Sequence, residues 1–150
     1  MTASTELLIG DAGGQHVLVR AQARHHPHLF DYWDGNWISS EVEIVAGAMR
    51  AAFRADLRSE EFQAFLDEAE ALARSLDGVA TFSTMEGQLT VSITGDPAGR
   101  LRVEGEARDA PGSANRLHFG FEIDQSYLPH ICRSLAVLLA AFPVVGVTEA

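Results

Sequence analysis

The chain has 150 residues, 47% of them hydrophobic, and carries 21 acidic residues against 11 arginines and no lysine, for a formal net charge of −10. This length makes a single domain, residues 1–150, the leading expectation, and a domain of this size buries enough surface to need no disulfide or metal. The charge argues against a nucleic-acid partner, because scattered arginines give no cationic track that could displace counterions.

The compartment is also indicated by composition. The single cysteine, Cys132, cannot form an internal bridge, and the N-terminus lacks the basic and apolar regions of a signal peptide. The longest apolar run, residues 135–142, is far shorter than the roughly 20 residues that span a bilayer. We therefore expect a soluble cytoplasmic protein with no membrane partner.

The first predicted elements are short strands at residues 7–9 and 17–23, joined by a glycine-rich turn. Behind them, His25, His26 and His28 precede Asp31 and could supply zinc ligands. Adjacent residues of an extended chain point in opposite directions, so these histidines would not converge on one ion. The pattern favours a solvated connecting loop, with a metal site as the lesser alternative.

The segment at residues 31–38, D-Y-W-D-G-N-W-I, holds both tryptophans of the chain. Asp34, Gly35 and Asn36 lie between the tryptophans and are typical of a turn. The segment leads into a strongly alternating strand. We expect Trp37 to be substantially buried at the start of that strand, and Tyr32 and Trp33 to stay partly exposed.

A hairpin and a helix complete the first half. Residues 37–45 and 49–57 alternate with the period of half-buried strands, and residues 59–77 carry a helical apolar stripe. Ser59 is the expected helix cap, and Gly78 the expected left-handed residue at its end. The polar face of the helix carries Asp67, Glu68 and Glu70.

The second half repeats this plan, with strands at residues 79–83, 89–94, 101–108 and 117–123 and a helix at residues 126–142. Every connection between strands is short, so neighbouring strands should be antiparallel. One face of the strands is apolar and the other charged. These features predict an α+β fold of order ββββ-α-ββββ-α, with a single largely antiparallel sheet and both helices packed on one face.

Residue chemistry gives no catalytic centre. The chain has no P-loop, nucleophile elbow or dinucleotide-binding motif. Cys132 is expected to be a small buried thiol, and His130 points about 100° away from it around the helix. Glu104 and Glu106 lie among arginines, which favours surface ion pairs over an acid/base pair. No cofactor or metal is expected.

Three segments resemble a known group of proteins. Y-W-D-G-N-W-I at residues 32–38, D-Q-S-Y-L-P at 124–129 and L-A-A-F-P-V at 139–144 are similar to small bacterial proteins related to the WapI-type immunity proteins, the cytoplasmic antidotes of wall-associated, contact-dependent toxins. The resemblance covers residues 30–144 and omits the first strand pair and the histidine loop. It implies a non-enzymatic protein that binds and blocks a toxin, and it supplies no catalytic residues.

Two functional hypotheses follow. In the first, the protein neutralises a cationic toxin domain, and the predicted partner-binding residues are Tyr32, Trp33, Asp34, Asp67, Glu68 and Glu70. In the alternative, the chain is a small-molecule-binding or catalytic domain with a pocket between sheet and helices. Small inward-facing residues could leave that space: Ala51, Ala55, Gly105 and Ala107. Such residues more often allow close packing.

Overall fold

The structure is a computed structural model that describes residues 5–148. Within this range there are eight strands and three helices. Four strands are followed by a long helix, and this order is then repeated; the third helix is short and lies between the second and third strands. The elements are β1 (Thr5–Gly10), β2 (His16–Arg24), α1 (Tyr32–Gly35), β3 (Trp37–Ala46), β4 (Met49–Arg58), α2 (Ser59–Ser75), β5 (Val79–Phe82), β6 (Leu89–Gly95), β7 (Arg100–Arg108), β8 (Arg116–Asp124) and α3 (Tyr127–Ala141).

The strands form two antiparallel four-stranded sheets, β1-β2-β3-β4 and β5-β6-β7-β8. The α+β class is confirmed, but the prediction of a single sheet with two helices is wrong, because residues 5–148 form two sheets and three helices. A period-2 pattern reports which face of a strand is buried and says nothing about which edges pair. The 17 residues of α2 separate β4 from β5 in the chain, and β5 pairs only with β6 among the described strands.

The two sheets keep the predicted division into an apolar and a charged face. Strand β3 alternates between buried and half-buried residues along its whole length. On β4, Arg54 lies directly opposite Glu41, with Nη1 3.7 Å from Oε1. On the second sheet, Glu104 and Glu106 form ion pairs with arginines on the outer face, so their interpretation as paired surface charge is confirmed.

The long helices connect the two sheets. Helix α2 packs against β5 and against α3, and α3 returns from the second sheet to pack on β1. Phe82 of β5 lies between two phenylalanines of α2, with its ring centre 5.1 Å from that of Phe62 and 5.6 Å from that of Phe65. The buried apolar side chains of both sheets and both helices form one continuous cluster.

The ends of α1 and α2 differ from the sequence prediction. Asp31 caps α1 by accepting the Asp34 N–H at 2.9 Å, so the expected turn becomes one turn of helix. Helix α2 is capped by Arg58 in extended conformation, which makes Ser59 the first helical residue. Its C-cap is left-handed Leu76, with φ 56°, two residues before Gly78. In residues 5–148, no helix has both the length and the apolar character needed to cross a membrane.

Candidate partner-binding site

The site is organised around Arg58, whose side chain is only 1% exposed where β4 meets α2. Its Nη1 donates to the Trp33 carbonyl at 2.7 Å and its Nη2 to the Tyr32 carbonyl at 2.7 Å. Its Nε forms an ion pair with Glu60. One guanidinium therefore satisfies two carbonyls of the short helix α1, which is too short to satisfy them internally.

Three aromatic rings surround this guanidinium. Its central carbon lies 4.8 Å from the ring centre of Trp37, 5.4 Å from that of Tyr32 and 5.6 Å from that of Trp33. These distances fall within the range of cation–π attraction. The rings of Tyr32 and Trp33 meet edge to face, 5.0 Å apart.

The exposure of the three rings agrees with expectation. Trp33 is 58% exposed and Tyr32 is partly exposed, as predicted. Most of the surface of Trp37 is buried, as expected, although its burial is not complete. Its ring packs on the guanidinium of Arg58, which lies opposite it in the pairing of β3 with β4.

Asn36 joins this region to the C-terminal segment, residues 143–147. Its side chain is fully buried, donates from Nδ2 to the Val145 carbonyl at 3.0 Å and accepts at Oδ1 from the Val145 N–H at 2.9 Å. The same Nδ2 donates to the Tyr32 carbonyl at 2.9 Å. The amide thus pairs with the backbone of Val145 as a neighbouring strand would.

Two glycines permit this close approach. A Cβ on Gly35 would lie 2.8 Å from both the Leu29 carbonyl oxygen and Cγ2 of Val145. Gly146 has a φ of +69°, and its Cβ would lie 2.4 Å from the backbone nitrogen of Tyr32. Larger residues at either position would push the C-terminal segment away from α1.

Two acidic residues in the first turn of α2 complete the electrostatics. Glu61 accepts the Arg58 N–H at 2.8 Å and the Met85 N–H at 2.5 Å, and burial raises its pKa to about 7. Glu60 keeps one carboxylate oxygen, Oε1, that is buried without a hydrogen-bond partner in residues 5–148. Desolvation, and then the charge of Glu60, raise the pKa of Tyr32.

The three predicted acidic residues of α2 differ in their surroundings. Asp67 and Glu70 are exposed, and Asp67 accepts from Nε2 of Gln63 at 3.0 Å. Glu68 accepts the Thr81 N–H at 3.1 Å, so it satisfies a backbone donor of edge strand β5. These residues begin eight positions after Ser59, about 12 Å along the helix at 1.5 Å per residue. The structure therefore groups Tyr32, Trp33 and Asp34 on α1, and the other three on a separate part of α2.

The histidine loop is exposed, as expected. His25 contacts Asp56, with Nε2 2.8 Å from Oδ1. Its ring centre is 6.1 Å from that of His26, which in turn is 6.4 Å from that of His28. Across the described part of the chain, no three histidine, cysteine or acidic side chains are grouped closely enough to hold a metal ion.

Two depressions bear on the alternative of a pocket. A cleft of about 260 Å³ lies between β4 and the β7–β8 hairpin, with Ala51 and Ala107 in its lining. An open groove of about 620 Å³ lies between α3 and the outer face of β1 and β2. Gly105 serves close packing, since a Cβ there would lie 2.4 Å from Cζ of Phe119. Cys132 is half-buried, and burial raises the pKa of its thiol.

Sequence reasoning missed Arg58 and Asn36, the two residues that hold the site together. Arg58 lies at a strand end, where the alternating pattern no longer predicts burial. The available signal was an arginine followed by two acidic residues at a predicted helix start. Asn36 was interpreted as a turn residue, because its partner Val145 is 109 positions away in the sequence.

Comparison with known proteins bears on the family. No curated protein matches the chain. Among solved structures, the chain is similar to one described as a CdiA-CT/CdiI toxin and immunity complex from Enterobacter cloacae, with a TM-score of 0.43, 9% sequence identity and coverage of 79% of this chain and 97% of that chain. The model of the Immunity protein WapI-like family matches residues 7–143, including the first strand pair that the resemblance had left out. The chain therefore belongs to the Immunity protein WapI-like family.

Proposed function

We propose that this protein binds a partner toxin in the cytoplasm and neutralises it by occlusion, without catalysis of its own. The observation that carries the proposal is the exposed Trp33 ring, 58% accessible yet held on a helix whose carbonyls are fixed by buried Arg58. Tryptophan, tyrosine and arginine are the residues most often found at the energetic centres of protein interfaces. Membership of an immunity-protein family supports the same role.

The fixed geometry of α1 would favour tight binding. An exposed aromatic side chain on a mobile loop loses conformational entropy when a partner orders it. Tyr32 and Trp33 instead lie on a capped helical turn, bound by Arg58 from one side and by Asn36 from the other. Because these side chains are already ordered, they lose less conformational entropy on binding, and the complex is correspondingly tighter.

The partner we propose is a cationic toxin domain, in place of a nucleic acid or a membrane. The chain carries a net charge of −10, and Asp34, Asp67 and Glu70 are exposed. Such carboxylates accelerate the approach of a basic protein and make the association rate sensitive to salt. Glu68 would contribute charge while also bonding to β5.

The experiment measures binding kinetics between the full chain and a candidate cationic toxin domain, which is sought among the genes next to this one. Trp33→Ala should mainly speed dissociation, because the ring supplies contact area. The pair Asp67→Asn and Glu70→Gln should mainly slow association and flatten its salt dependence. Glu68 is left unchanged in this variant because its loss would also free the Thr81 N–H.

A matched control removes the same charge from another surface. Glu104 and Glu122, on the outer face of the second sheet, are changed to glutamine. If this control slows association as much as the α2 variant does, the effect comes from net charge alone, and the position of Asp67 and Glu70 has no special role. If Trp33→Ala binds and dissociates like the parent protein, the proposed site is wrong.

A further inference from the structure

The exposed apolar side chains are concentrated at one end of the molecule. Residues 5–148 contain eight large hydrophobic side chains that are exposed, and four of them belong to two short segments around α1 and the C-terminal segment. These four are Phe30 at 73%, Trp33 at 58%, Val144 at 37% and Val147 at 80% exposure. We call them the apolar end.

Direct contacts bring the two segments together. Val145 is held from both its N–H and its carbonyl by Asn36. Gly146 approaches the backbone of Tyr32 so closely that a Cβ would clash with it. Val145 is half-buried, whereas the side chains of its neighbours Val144 and Val147 are exposed to solvent.

At the apolar end, the arginine side chains bond toward the interior of the protein, whereas the carboxylates are exposed to solvent. Residues 25–36 and 143–148 contain no arginine or lysine, whereas Asp31 and Asp34 are exposed. The two nearest arginines both bond inward: Arg24 donates to the Gly35 carbonyl at 2.6 Å and to that of Pro143, and Arg58 is buried beneath the rings. An incoming partner therefore meets apolar surface bordered by carboxylates.

The groove beside α3 has the opposite character. Val137, 60% exposed, lies there with Leu8 and Leu18. Its lining includes Arg20, Arg133 and His130, and its one carboxylate, that of Glu6, is paired with Arg20 at 3.0 Å. The lining of this groove therefore offers a basic partner no unpaired carboxylate, in contrast to the apolar end.

We infer that the apolar end is the centre of the toxin-binding surface, and that it receives a toxin segment in which an apolar side chain is flanked by arginine or lysine. The inference rests on the proposed function, and it places the C-terminal segment and Phe30 in the contact. The apolar side chain packs on Trp33 and the two valines, and the basic side chains pair with Asp31 and Asp34. Exposed apolar side chains grouped on neighbouring segments mark interaction sites on proteins.

The test measures dissociation of the complex with the same candidate toxin domain. The variant Phe30→Ser/Val147→Ser removes two exposed apolar side chains without touching Trp33 or the bonds of Val145. We expect dissociation at least about tenfold faster, as for the loss of central interface contacts. The control is Val137→Ser, which makes the same change as Val147→Ser at an exposed valine on α3, although it removes one side chain where the double variant removes two. Its dissociation rate should stay within about twofold of that of the parent protein.

The outcomes separate this inference from the proposed function. If the double variant dissociates like the parent while Trp33→Ala dissociates faster, the C-terminal segment is outside the interface, and the inference fails while the proposed function stands. If Val137→Ser has the larger effect, the groove beside α3 is the docking surface and the inference is wrong. If the parent protein forms no complex, the proposed function itself fails.

Discussion

Replacing Arg58 with methionine should destabilise the protein more than any exposed charge replacement. The substitution keeps much of the buried volume but removes the guanidinium, which is 1% exposed and bonded to two carbonyls and to Glu60. Breaking a buried ion pair by removing one partner costs about 3 to 5 kcal/mol, because the other charge remains without compensation. That is a large fraction of the roughly 5 to 15 kcal/mol that stabilises a typical domain.

Urea denaturation gives the measurement. With an m-value of about 2 kcal/mol per molar, a loss of about 4 kcal/mol lowers the unfolding midpoint by about 2 M. Arg54→Met is the matched control on the same strand, since Arg54 is 67% exposed and pairs with Glu41 at 3.7 Å. Such a surface pair contributes about 0 to 1 kcal/mol. If the two variants unfold at the same urea concentration, Arg58 does not organise the site and the reasoning from burial is refuted.

Further predictions concern the surroundings of Arg58. Asn36→Ala removes three hydrogen bonds, so amide hydrogen exchange should become faster at Val145 while the sheets stay protected; unchanged exchange there would contradict the role of Asn36. Gly35→Ala should destabilise the protein by about 1 to 3 kcal/mol through overpacking. Gly47→Ala is the control, because nothing lies within 4 Å of the added Cβ, and its only stability cost should be the backbone strain of an alanine at positive φ. Burial raises the pKa of Glu61 from 4.5 to about 7. The stability that comes from its protonation is therefore fully present below pH 4.5 and is lost as the pH rises through 7. Glu61→Gln should make the free energy of unfolding depend less on pH between these values, and an unchanged slope would contradict the raised pKa.

The elements of the fold could be predicted from the sequence because their signals are local. Strands such as β3 and β8 follow period-2 alternation, and the stripe from Phe62 to Leu72 defines α2 without reference to the rest of the chain. The division into two sheets could not be predicted, because edge pairing depends on where α2 carries the chain. The side-chain amide of Gln88, for example, donates from Nε2 to the Arg54 carbonyl at 3.0 Å, and this contact joins residues that carry no local sequence signal for it.

The candidate site also combines features with local sequence signals and features that depend on long-range contacts. Exposure of Trp33 was predictable from its position in a segment of turn-forming residues. The contact of Trp37 with Arg58 was not predictable, because Arg58 is 21 positions away in the sequence and lies opposite Trp37 only once β3 and β4 have paired. The role of the C-terminal segment depends on Asn36 and two glycines, residue types that sequence patterns assign to turns before any long-range contact is considered.

Direct binding to the candidate toxin domain decides whether this protein acts by occlusion. In an isothermal titration of that domain with the full chain, we expect a one-to-one complex with a dissociation constant below about 1 μM, which corresponds to about −8 kcal/mol. The same mixture should elute as one species from a sizing column, and cells that express both proteins should survive. Absence of binding heat, with the two proteins eluting separately, would contradict the claim that this protein acts by occluding a toxin.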